Sequence, residues 1–150
     1  MTYDLSQQAG IPVTNRDAYS LEGLRILIVD DSYVARYILQ MFLEKGHAET
    51  ICAETGHQAL SILQSKTVDC VFMDIQLPGI DGYDTIREIR KKIHTSKLFV
   101  IAITSNPLEE VESACLEAGA NGVLIKPLMP EELYSALQCL RAFSTLLKVK

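Results

Sequence analysis

A chain of 150 residues suffices for one domain with a good core, and 48% hydrophobic with 22% charged residues is ordinary for a soluble globular protein. A net charge of −5 and a pI near 5.2 argue against direct nucleic-acid binding. No apolar run approaches the roughly 20 residues of a membrane span, and no basic segment leads into an apolar stretch at the start, so a cytoplasmic location without secretory signal is expected.

Residues 1–22 are polar, contain Gly10 and Pro12, and keep no sustained period. They read as an N-terminal tail or linker, with the folded domain over 23–150. From Leu24 two textures alternate. Short β-branched or apolar runs recur at Arg25–Val29, Ala48–Cys52, Cys70–Met73, Leu98–Ile103 and Gly122–Ile125. Segments of helical period lie between them. Val34, Ile38 and Phe42 step by four, and Gly46 follows as a stop. Thr55-Gly56-His57-Gln58 has the form of a capping box before Ala59, Leu60 and Leu63. Asp81-Gly82 opens a third helix carrying Ile86, Ile89 and Ile93. Asn106-Pro107 places a cap before a good first residue, and Val111, Ala114 and Ala118 follow until Gly119. The fifth helix starts at Pro130 with Glu131 and Glu132 in its first turn, though Met129 offers no capping oxygen.

Five strands alternating with five helices predict an α/β, doubly wound fold with a parallel sheet covered on both faces. Right-handed crossovers then bring the strand C-termini to one edge. Cys52, Cys70, Cys115 and Cys139 form no C-x-x-C pair and read as reduced core or near-core thiols. His47, His57 and His94 have no ligand spacing.

Chemistry gathers at the predicted edge. The buried-looking run Ile26-Leu27-Ile28-Val29 leads straight into Asp30 and Asp31. The third strand ends at Asp74, the fourth at Thr104, and the fifth at Lys126. Three clustered carboxylates repel one another and resist desolvation. A hard cation with oxygen ligands relieves that strain, and Mg2+ suits it because it keeps waters that a phosphate can replace. Lys126 is a compact positive charge able to meet a carboxylate or a phosphoryl oxygen. These parts suit phosphoryl transfer to a carboxylate, which needs positioning and charge neutralisation more than a general base.

At these residues the chain resembles the receiver domain of two-component response regulators. The motifs are Ile26-Leu27-Ile28-Val29-Asp30-Asp31-Ser32, Met73-Asp74-Ile75-Gln76-Leu77-Pro78-Gly79-Ile80-Asp81-Gly82, Ile103-Thr104, and Gly119-Ala120-Asn121-Gly122-Val123-Leu124-Ile125-Lys126-Pro127. The resemblance covers about Leu24 to Arg141. It implies a flavodoxin-like five-stranded parallel sheet in order 2-1-3-4-5 with five flanking helices. It also implies that Asp74 accepts a phosphoryl group from a phosphohistidine on a sensor histidine kinase or histidine phosphotransfer protein. Asp31, Asp74 and the main-chain carbonyl of Gln76 would ligate Mg2+, with Asp30 acting largely through water. Thr104 and Lys126 would hold phosphoryl oxygens, and the Lys126–Pro127 bond would be cis. Such a domain is no conventional enzyme, although it promotes its own phosphorylation and slow dephosphorylation.

The chain departs from the family pattern at Val123, where an aromatic switch residue often stands, and at the uncapped Met129. Gln76 and Asn106 occupy positions that in the family tune the lifetime of the phosphoryl group. A phosphorylation-independent interaction module with a receiver-like fold is the rival reading. The chain could be a stand-alone regulator or the receiver of a hybrid sensor kinase. Leu133, Leu137, Leu140 and Leu147 could form one stripe, with 142–150 extending the last helix towards a homodimer or a neighbouring domain.

Overall fold

The computed structural model describes residues 20–92 and 98–148, with side chains as far as Leu140. Among the described residues five strands form one sheet: β1 (Arg25–Val29), β2 (Glu49–Ala53), β3 (Cys70–Asp74), β4 (Phe99–Thr104) and β5 (Gly122–Ile125). All neighbours pair in parallel, in the order β2-β1-β3-β4-β5. Helices α1 (Tyr33–Lys45), α2 (Gly56–Ser65), α3 (Gly82–Lys92), α4 (Glu109–Ala118) and α5 (Pro130–Lys148) alternate with the strands. This is the doubly wound, flavodoxin-like arrangement. No helix among the described residues is long and apolar enough to cross a membrane.

The two-residue period of a strand divides the core. Leu27, Val29, Val71, Met73, Val100 and Ala102 meet Ala59 and Leu63 of α2, Ile86 and Ile89 of α3, and Cys115 and Ala118 of α4. Their neighbours Ile26, Ile28, Phe72, Ile101 and Ile103 meet Leu39 and Leu43 of α1 and Leu133, Leu137 and Leu140 of α5. Each Leu, Ile, Val, Met or Phe among them contributes roughly 1.5–3 kcal/mol by leaving water. β1 and β3 are therefore anchored on both faces, which holds their charged ends in place.

Helix entries follow the sequence chemistry with two changes. Ser32 caps α1 by accepting the Ala35 N–H at 3.3 Å. Thr55 caps α2 by accepting the Gln58 N–H at 3.1 Å, but the Gln58 side chain reaches one residue further back, to the Glu54 N–H at 2.8 Å. Asp81 accepts the Asp84 N–H at 2.8 Å and starts α3. α4 begins later than expected. Asn106 Oδ1 closes a tight turn onto the Leu108 N–H (3.0 Å), so its capping oxygen is used before the helix starts, and Leu108 stands uncapped ahead of Glu109.

Other expectations need correction. Of the helical series Val34, Ile38 and Phe42, only Phe42 packs on the core: Val34 and Ile38 are 64% and 43% exposed, and the buried positions are Arg36, Leu39 and Leu43. Both series keep helical spacing on an apolar helix, so period alone could not choose between them. Gly46 does stop α1, as its C-cap residue, and the left-handed residue is the next one, His47 (φ 71°). Leu21, assigned to the tail, is buried against the α1 and α5 side of the sheet and donates its N–H to Gly46 O at 2.7 Å. Cys70 and Cys115 are buried and Cys52 is half-buried, but Cys139 is exposed. The helical backbone of α5 continues to Lys148. Ile93, His94, the side chain of Leu147 and residues 1–19 lie outside the described residues.

Candidate functional site

Because β1 and β3 are adjacent, their ends bring Asp30, Asp31 and Asp74 together. One carboxylate oxygen from each lies within 4.8 Å of the other two. Asp30 and Asp74 are buried, at 5% and 6% exposure, while Asp31 faces outward. Asp74 closes β3, and Asp30 follows β1 with its N–H bonded to Ala53 O at 3.2 Å.

Lys126, just past β5, reaches both buried carboxylates. Its Nζ lies 3.0 Å from Asp30 Oδ2 and 3.4 Å from Asp74 Oδ2. Its own N–H donates to Thr104 O at 2.8 Å, so the β4–β5 ladder sets where the lysine stem begins. The Lys126–Pro127 bond is cis. The remaining carboxylate oxygens are held by main-chain donors two residues on. Ser32 N–H donates to Asp30 Oδ1 at 2.9 Å, and Gln76 N–H to Asp74 Oδ1 at 3.0 Å.

These surroundings set the acid–base state. Burial pushes the Asp74 carboxyl above the usual carboxylate range and Asp30 adds to this, while the Gln76 N–H and Lys126 pull the other way without cancelling it. Burial alone would lower the Lys126 ammonium, but its bonds to Asp30 and Asp74 outweigh that and raise it. An acceptor-only carboxylate pair with one ammonium between them is thus incompletely neutralised.

Thr104, 3% exposed at the end of β4, accepts the Asn106 N–H at 3.1 Å through its hydroxyl oxygen. Gln76 is exposed on the loop after β3. Val123 sits half-buried on β5 opposite Ala102. Every candidate residue therefore lies at or next to the C-terminal strand edge.

Arg36 is a contributor that sequence reasoning missed. It is buried on α1, donates to the Asp30 main-chain carbonyl at 2.7 Å, and reaches Glu54 at 3.3 Å. A signal was present, since Arg36 falls three and seven residues before Leu39 and Leu43, a charge inside an apolar stripe. Gly82 is the second. A Cβ there would meet the Asp74 carbonyl oxygen and Ile75 Cα, so only glycine lets α3 start against the acceptor strand.

The model of the response regulator receiver domain matches residues 26–138. The autoinducer 2 sensor kinase/phosphatase LuxQ of Vibrio cholerae is 39% identical over 115 residues, 77% of this chain but 13% of that protein. Among solved structures, the receiver domain of sensor histidine kinase PA1611 from Pseudomonas aeruginosa is 31% identical with a TM-score of 0.71, over 81% of this chain and 97% of that one, and carries a magnesium ion in its active-site cleft. Chemotaxis response regulator CheY4 of Vibrio cholerae is 26% identical with a TM-score of 0.73, over 78% and 98%. Fold, strand-edge residues and sequence likeness agree: the chain belongs to the response regulator receiver domain family of two-component signalling.

Proposed function

We propose that the domain accepts a phosphoryl group on Asp74 from a phosphohistidine of a histidine kinase or phosphotransfer protein and switches partner contacts in response. The carrying observation is the convergence of Asp30, Asp31 and Asp74 within 4.8 Å, with Lys126 bonded to two of them. An Asp74 oxygen attacks phosphorus, an O–P bond forms, and the N–P bond breaks. The electron pair of that bond stays on the donor's imidazole nitrogen.

The donor set fits Mg2+: oxygen ligands only, three carboxylates, and one of them open to solvent at Asp31. Asp31, Asp74 and the Gln76 carbonyl would hold the ion, with Asp30 in support. When bound it supplies positive charge to the transferring phosphoryl oxygens. Lys126 neutralises charge from the other side, and Thr104 offers a hydroxyl to a phosphoryl oxygen. The Gln76 N–H fixes the rotamer of Asp74, leaving its other oxygen towards Lys126.

The exposed face of α1 supports a protein donor. Tyr33, Val34, Tyr37, Ile38 and Met41 are 43–71% exposed and begin two residues after Asp31. Such an open apolar stripe suits a helical partner that carries its histidine to the adjacent acceptor.

A small-molecule phosphodonor with Mg2+ tests the acceptor. Labelling should occur in the wild type and vanish in Asp74→Asn; persistent Mg2+-dependent labelling of the variant would sink the assignment. Mg2+ titration of the free protein separates the rival, since a phosphorylation-independent module should show no saturable binding.

A further inference from the structure

A cavity of about 500 Å3 opens beside Thr104. Gln76, after β3, and Tyr83 of α3 line it together with Asn106, after β4, and Val111 of α4. Tyr83, near the start of α3, is half-buried and packs on the same core cluster as Val111 and Cys115 of α4. The ring thereby joins α3 to α4.

Thr104 is tied to the start of α4 by two hydrogen bonds in series. Its hydroxyl oxygen accepts the Asn106 N–H, and Asn106 Oδ1 accepts the Leu108 N–H. Leu108 O in turn accepts the Val111 and Glu112 N–H groups of α4. A Thr104 hydroxyl drawn towards a group on Asp74 must pull this turn along the cavity wall. Tyr83 is the aromatic side chain lining this cavity. Val123 shares the cluster but brings only a short branched side chain, stiff about χ1.

We propose that Tyr83 is a positioning residue that relays the state of Asp74 to α4. The Thr104–Asn106–Leu108 turn closes against its ring, and the packing of Tyr83 in the cluster it shares with Val111, Cys115 and Ala118 carries the displacement into the helix. This relay rests on the reading of Asp74 as acceptor.

The test uses the full chain labelled with 15N, with beryllofluoride and Mg2+ as the probe. Two sets of amide shifts are followed: Gln76, whose N–H is bonded to Asp74, and Glu109–Ala118 of α4. Both sets should move in the wild type. In Tyr83→Leu the Gln76 response should persist while α4 displacements fall below half of the wild-type values. Tyr83→Phe, which keeps the ring, should respond as the wild type does. An undiminished α4 response in Tyr83→Leu overturns the relay, and so does loss of probe binding in that variant, because Tyr83 would then serve the site itself. A wild type in which Gln76 does not respond overturns the acceptor reading and the relay with it.

Discussion

The Arg36 guanidinium donates to the main-chain carbonyl of Asp30 across 2.7 Å, from within the buried face of α1. This bond fixes the backbone that presents Asp30 while leaving the carboxylate to Ser32 and Lys126. It also stations a positive charge behind the acidic cluster. Arg36→Met keeps most of the packing and removes the donor. It should cost about 1–3 kcal/mol, the range for leaving a buried acceptor without its charged partner. Urea melts read this directly, and a variant within experimental error of the wild type would show the bond to be idle.

Lys126→Ala removes the ammonium shared by Asp30 and Asp74. Lys126 is among the groups that lower the Asp74 pKa, so the already raised value should climb further while the fold persists. Carboxyl 13C shifts of Asp74 followed against pH check this. The response of α4 to beryllofluoride should weaken at the same time, and a titration and response matching the wild type would refute the role of Lys126.

The acidic cluster should make stability depend on pH in a defined sense. Asp74 is raised above its unfolded value, so the folded protein holds more protons in the window between the two, and stability falls as pH climbs through it. Asp74→Asn removes the ionised group and should raise the Tm at neutral pH by roughly 2–4 °C, as about 1 kcal/mol does in a domain of this size. Lys126 acts at the alkaline end. Its stabilisation is complete below the ordinary lysine value and disappears as pH rises through its raised one. Melting curves from about pH 4 upward follow the first window and curves above about pH 10.4 the second, and an Asp74→Asn profile parallel to the wild type would contradict the first.

Gly79, in the loop before α3, and Gly82, its first residue, should respond differently to alanine. At Gly82 the added Cβ meets backbone of Asp74 and Ile75, so Gly82→Ala must push α3 away from the acceptor strand. We expect at least 1–3 kcal/mol of destabilisation, roughly the range for overpacking, and weaker Mg2+ binding. At Gly79 (φ 77°) the Cβ meets nothing, so Gly79→Ala carries only the left-handed backbone cost of about 1–2 kcal/mol and should leave Mg2+ binding unchanged. Equal Mg2+ affinities in the two variants would remove Gly82 from the account.

Much of this architecture was legible because the strongest signals are local. Strand runs, the caps at Thr55 and Asp81, and the positions of Asp30, Asp74, Thr104 and Lys126 follow from short-range pattern and the geometry of a doubly wound sheet. What failed depended on tertiary choice. α1 has apolar residues on several sides, and only the opposing Ile26, Ile28 and Phe72 select Leu39 and Leu43. Asn106 can cap a helix or close a turn, and here it closes a turn. Leu21 sits in a polar segment and reveals its role only through the pocket that receives it. The place of Arg36 inside an apolar stripe hints at burial, but its partner is a main-chain carbonyl, which no sequence pattern marks.

The Lys126–Asp30 pair joins positions 96 residues apart along the chain. A ribosome would release all three carboxylates well before it finished the strand that leads to their cation. Until β5 docks, the emerging chain holds an acidic cluster without its lysine. Competence of this site is therefore tied to completion of the whole sheet, and a truncated or half-folded copy would lack its internal counter-charge.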